Sequence, residues 1–150
     1  MAEHDYRAFP ELTNKQIQEF GIESPHPQIT EDFDATVKKV VDGDTIRITH
    51  PQRDFDFPLR FLDIDAPEMN EGGEESKAWL KGLIEGTEVR ILIDKNNRVG
   101  KYGRLLGKIM SLGMDVGSMA MALGYAVAFG QKDQSVPPDL NKLLRMNQWF

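Results

Sequence analysis

Between residues 35 and 110 the sequence alternates short apolar, β-branched runs with tight polar breaks, and that rhythm constrains the fold more than any other feature. Runs at 35–41, 45–49, 57–65, 89–93 and 105–110 have the length and composition of strands. The first two meet in VVDGDTIRI, where Asp42-Gly43 amid apolar alternation predicts a hairpin, with Gly43 supplying the positive φ that tight turns require. Asp44 is not needed to make that turn and is expected to begin the return strand. A stretch of different period interrupts the series after the third run. In EESKAWLKGLIEG, Trp79, Leu80, Leu83 and Ile84 recur at helical spacing; Gly72-Gly73 breaks the chain before it and Gly86 stands where it should stop.

Beyond the fifth run, 116–123 reads as a second helix ended by Gly124 and YAVAF as an apolar extended piece. Pro138 then opens a short last helix around Leu140, Leu143 and Leu144. Five short strands, a helix after the third and others after the fifth predict an α+β, mainly β fold: an OB-type five-stranded barrel with about three helices packed on it. A chain of 150 residues suits one such domain. Ahead of it, FPELTNKQIQEFGIES predicts a short helix, and Pro25 and Pro27 an extended connector. Residues 1–33 therefore read as an acidic N-terminal extension and 34–150 as the domain.

Several classes are excluded. No cysteine occurs, which removes disulfides, thiolate metal sites and cysteine nucleophiles. No apolar run approaches the roughly 18 residues that span a bilayer, and MAEHDYRAFP has neither the basic nor the apolar region of a secretory signal. The expectation is a soluble, cytoplasmic protein without a membrane partner. A net charge of −6 argues at first against a polyanionic partner. Its distribution reverses the argument: residues 1–34 carry all six excess negative charges, and the remainder is neutral. Within that neutral body Lys95, Arg98, Lys101, Arg104 and Lys108 are expected to form a local basic surface.

The third run ends PLRFLDIDAPEM. Alternation along a strand puts Leu59, Phe61 and Asp63 on one face and Arg60, Leu62 and Ile64 on the other, until Ala66-Pro67 turns the chain. Asp65 and Glu68 then lie at a strand end. With Asp44 they make three carboxylates beside an arginine, the hard oxygen donors that Ca²⁺ or Mg²⁺ prefers. Arg104, in GKYGR, meets the fifth strand from a glycine-bearing turn, and its planar fork suits bidentate contact with phosphate. Each residue alone has a plainer reading. Aspartates form turns, arginines near acids form ion pairs, and Lys101 and Tyr102 belong to a solvated hairpin. Trp79 is expected as a buried anchor, and Met110, Met114, Met119 and Met121 as core filler.

Together, VDGDT, LRFLDIDAPE and GKYGRLLG, in that order and with a helix between the last two, resemble the three signature blocks of the thermonuclease, or staphylococcal nuclease-like, family over about residues 35–130. The resemblance implies an OB-type barrel and Ca²⁺-dependent cleavage of DNA and RNA, with single strands as substrate and a monomer as the working unit. Carried over by position, it implies that Asp44, Asp65 and the carbonyl of Ala66 bind the metal and that Glu68 activates water. Arg60 and Arg104 would bind the phosphate, while Lys101 and Tyr102 approach the nucleotide's terminal phosphate and sugar. The chain departs from the pattern in the short acidic MNEGG and in AVAFGQKD, where family members carry a lysine-bearing loop and tyrosines. The alternative class is a non-catalytic OB-type module that binds nucleic acid or protein; such modules lack several of these acids and arginines, and here none is missing.

Overall fold

The computed structural model describes residues 10–12, 28–100 and 103–130. β1 (Phe33–Asp42) shows in its burial why the sheet curls. Phe33, Ala35 and Val37 face inward in alternation, then Lys38 and Lys39 both face out before Val40 returns to the core. A register irregularity between Val37 and Lys39, opposite β2 (Thr45–Ile48), marks a bulge, which sets two residues against one and bends the strand. The Val40 N–H just past it is accepted by Glu85 Oε2 at 3.0 Å.

β2 continues antiparallel to β3 (Phe57–Phe61), while β5 (Glu88–Leu92) pairs with the opposite edge of β1 and with β6 (Leu105–Ser111). The sheet closes where β3 and β6 run parallel, with Leu59 opposite Leu105 and Phe61 opposite Gly107. The result is the closed five-stranded barrel of an OB-type α+β fold, in the order β1-β2-β3-β6-β5. Val37, Ile46, Ile48, Phe57, Leu59, Phe61, Ile91 and Ile109 fill it, all fully buried. Burial of side chains of this kind contributes about 1.5–3 kcal/mol each.

The third run is not one strand. It breaks at Leu62-Asp63 into β3 and a separate β4 (Ile64–Asp65). The break resets the alternation, so Ile64, expected on the outer face with Arg60, is fully buried. α1 (Gly73–Ile84) packs Ser76, Leu80 and Ile84 inward. It stops where expected: Gly86 adopts φ 79° and its N–H donates to Val37 O at 2.8 Å, tying the helix end to β1. β7 (Met114–Asp115) folds back on β6, and α2 (Val116–Ala122) follows, capped by Asp115, whose side chain accepts the Ser118 N–H at 3.1 Å. The extended piece becomes β8 (Val127–Ala128), antiparallel to β4.

Two packing expectations change. Trp79 is half-buried, stacked on Tyr125 at 5.1 Å and 14°. No methionine among those named fills the barrel: Met110, Met119 and Met121 are half-buried and Met114 is exposed, because Ile, Leu and Phe already occupy the narrow interior. Ile29 and Phe33 belong to the core cluster, so the packed body begins ahead of Asp34. The helices expected near 13–20 and 140–144 lie outside the described residues. Among those described, no helix is long and apolar enough to cross a membrane.

Candidate active site

Asp44 sits in the two-residue turn between β1 and β2, not at the start of the return strand, since Asp42 pairs directly with Thr45. Gly43 is also required for a different reason from the one its position suggests. Its φ is not positive; a Cβ there would lie 2.1 Å from Ser76 Oγ and 2.7 Å from Ala66 Cβ. The missing side chain lets α1 and the 65–66 segment close over the turn. Asp44 is held by three bonds in consequence. Its N–H donates to Asp42 Oδ1 at 3.0 Å, its Oδ2 accepts the Ala66 N–H at 2.9 Å, and its Oδ1 accepts the Thr45 hydroxyl at 3.2 Å. Burial above all, and the neighbouring Asp42, push the Asp44 carboxyl above the usual range, while the Ala66 N–H and Arg60 pull it back.

The break after β3 fixes Arg60. Its Nη1 donates to the carbonyls of Phe61 (2.8 Å) and Ile64 (3.3 Å), which flank the break. Its Nη2 pairs with Asp65 Oδ1 and lies 3.5 Å from Asp44 Oδ2. Asp65 is 9% exposed, and its other oxygen accepts the Gly130 N–H at 3.0 Å. Asp63 turns elsewhere, toward Gly117 at the start of α2. Burial and then the charge of Asp115 push its carboxyl up.

Glu68 is positioned by the glycine pair. MNEGG forms a single 3-10 turn, Met69–Glu71, running straight into α1. The Glu68 carbonyl accepts the N–H groups of Glu71 (2.8 Å) and Gly73 (2.9 Å). A Cβ on Gly73 would lie 2.5 Å from Pro67 O and 2.6 Å from Glu68 O, so only glycine permits this approach. On the far side, Arg104 stands at the foot of β6, its carbonyl accepting the Gly100 N–H at 2.8 Å. Lys101 and Tyr102 lie outside the described residues.

Asp44, Asp65, Ala66, Glu68, Arg60 and Arg104 line one open cleft of about 270 Å³, together with Asp42, Pro67 and Met69. Four carboxylates face two guanidiniums, a net of −2. Among the described residues no three His, Asp or Glu side chains cluster tightly enough to hold a metal by themselves. The oxygens on offer are the carboxylates of Asp44 and Asp65, both paired with Arg60, and Ala66 lines the cleft beside them. Hard oxygens and excess negative charge fit a hard divalent cation. Two features escaped the sequence reading. Asp42, which lines the cleft, looked like a turn former only, and Phe129, 64% exposed with the Arg60 guanidinium 5.2 Å from its ring centre, looked like part of an apolar strand. Arg98, expected on the basic surface, is 6% exposed and points away into an ion-pair cluster.

Comparison with known proteins bears on the family. The family described as staphylococcal nuclease homologue matches residues 58–148. The SPbeta prophage-derived endonuclease YokF of Bacillus subtilis (strain 168) is 33% identical over 100 residues, covering 62% of this chain and 33% of that protein. An uncharacterized endonuclease of Escherichia coli O157:H7 is 31% identical over 107 residues, 70% of this chain and 67% of that one. Endonuclease YncB of Bacillus subtilis (strain 168) is 29% identical over 98 residues, 61% and 46% of the two chains. The chain thus spans a third of the length of YokF and two thirds of the Escherichia coli protein. With the family matched over most of the chain, from β3 onward, this protein belongs to the staphylococcal nuclease homologues.

Proposed function

We propose that this protein is a Ca²⁺-dependent nuclease that hydrolyses phosphodiester bonds of single-stranded DNA and RNA, as a monomer, leaving 3′-phosphate ends. What supports the reading is the convergence of Asp44, Asp65, Glu68, Arg60 and Arg104 on one cleft. Asp44, Asp65 and the Ala66 carbonyl would hold Ca²⁺, which when bound would supply charge neutralisation at the phosphate and orientation of a water. Glu68, exposed where it lines the cleft, takes the proton of the attacking water as the bond between phosphorus and the 5′ oxygen breaks, and the 5′ oxygen leaves as a hydroxyl with a proton from solvent. Arg60 and Arg104 donate to the non-bridging oxygens, whose charge builds in the in-line transition state. Lys101 and Tyr102 contact the terminal phosphate and sugar of the nucleotide, and the exposed ring of Phe129 offers a nucleobase a stacking surface.

The test is cleavage of single-stranded DNA in millimolar Ca²⁺, with a chelator control, by the wild type and by Glu68→Ala and Arg104→Ala. The expected result is chelator-sensitive cleavage that Glu68→Ala lowers by about 10²- to 10⁴-fold and Arg104→Ala by about 10²- to 10³-fold. Tight binding of the strand without cleavage, indifferent to Ca²⁺, would instead indicate the binding-module class.

A further inference from the structure

Glu11 is a charged residue with no exposed surface, far from the cleft in sequence and not used by the mechanism. Its Oε1 pairs with Arg53 Nη2 and its Oε2 with Arg98 Nη1 at 3.0 Å, and Oε2 also accepts the Ile29 N–H at 3.1 Å. Arg98 in turn donates to the carbonyls of Ile29 and Leu12. Gln28 completes the tie, accepting the Leu12 N–H at 2.6 Å and donating to Pro10 O at 3.0 Å. Residues 10–12 are thereby strapped between the approach to β1 and the segment after β5. Burying such a cluster is a poor way to stabilise a fold, since apolar residues of the same volume do as well or better. Its geometry is the more informative property.

That geometry leads to the cleft. The carbonyl of Arg98 accepts the Leu106 N–H at 2.7 Å, Val99 bridges antiparallel to Leu105, and the Gly100 N–H donates to Arg104 O at 2.8 Å. Arg98 is the root of one arm of the hairpin, and Arg104 lies on the other arm where it enters β6. We propose that Glu11 is a positioning residue: by locking the Arg98 arm, the segment ahead of the barrel sets where Arg104 stands against Asp44, Asp65 and Glu68. Glu11 touches none of those residues and acts only through the hairpin. The role assigned to Arg104 rests on the nuclease reading above; the clamp itself does not.

The experiment uses the full chain and compares wild type, Glu11→Gln, Arg104→Ala and the double variant, with kcat and KM measured separately on single-stranded DNA in Ca²⁺. Amide exchange is followed in parallel. Displacement of a catalytic group by about an ångström costs up to about 10²-fold, so Glu11→Gln is expected to lower kcat by about 10- to 100-fold with little change in KM. In the Arg104→Ala background it should lower kcat no further. Exchange at the Leu106 and Gly100 amides should rise by about tenfold or more, with that of the Val37 amide, bonded to Thr87 O in the barrel, unchanged. An unchanged kcat, an equal loss in the Arg104→Ala background, or equal acceleration at Val37 would each overturn the proposal. If the wild type does not cleave, the nuclease reading fails, and the exchange pattern alone decides whether the clamp exists. Should Glu11→Gln not fold, Glu11→Asp, which keeps the charge and shortens the reach, is read by the same criteria.

Discussion

Arg60 reaches both carboxylates of the cleft as well as the carbonyls of Phe61 and Ile64, so its guanidinium competes with any cation those carboxylates hold. Under the proposed mechanism, phosphate entering the cleft would offer it a different anion and release the two acids to a metal, so that one residue would both serve cleavage and oppose metal loading. Arg60→Gln is accordingly expected to lower kcat by about 10²- to 10³-fold while Ca²⁺ binding, followed by titration calorimetry, is at least as tight as in the wild type. Weaker binding in the variant would mean that the guanidinium organises the carboxylates rather than competing for them.

At the scale of elements, the position of Glu68 depends on how closely the 3-10 turn and α1 approach the strand end. Gly73 controls that approach, because only an α-hydrogen faces the Pro67 and Glu68 carbonyls where a methyl would sit at 2.5 and 2.6 Å. These are backbone atoms, which yield only if the segment moves. Gly73→Ala should therefore shift Glu68 and lower kcat by about tenfold or more while the barrel unfolds at close to its original denaturant midpoint. A midpoint that falls without a loss of kcat at low denaturant would show that the contact serves stability alone. Gly43 performs the matching service at the other wall of the cleft, letting Ser76 of α1 sit against the turn that presents Asp44.

Over the whole molecule, Glu11 of the acidic N-terminal stretch meets the rest of the chain at Arg53 and Arg98, and His50 lies beside that junction. Its ring is 4.6 Å from that of Phe33, and its Nδ1 accepts the Gln52 N–H at 3.0 Å. Burial, and then the charge of Arg53, push the imidazole below its ordinary value of 6.5, against an opposing pull from Glu11. A histidine whose folded value is depressed takes its proton first in the unfolded chain. Its contribution to stability is therefore present above pH 6.5 and is lost as the pH falls below that value. Urea unfolding on either side of this pH should show stability declining on the acid side, with part of the slope absent in His50→Gln. An identical slope in the variant would exclude His50 as its source.

Strand and helix positions were legible in the sequence because period and turn chemistry are local properties: the barrel runs, α1 with its stop at Gly86, and α2 stand within a few residues of where alternation and glycines put them. The candidate site was legible for a different reason, since the blocks that carry Asp44, Arg60, Asp65, Glu68 and Arg104 stand in the order of the family they resemble, and the fold brings those five residues to one cleft. What no local window contains is which side chains meet. Gly43 is needed for the proximity of Ser76 and Ala66, not for its own φ, and the break after Phe61 is stabilised by an arginine folded back over it. Arg98 reads as a surface cation until a glutamate 87 residues away buries it. Local backbone preference is written in neighbouring residues, whereas desolvation and ion pairing depend on distances that exist only once the chain has closed, and these only the tertiary structure decided.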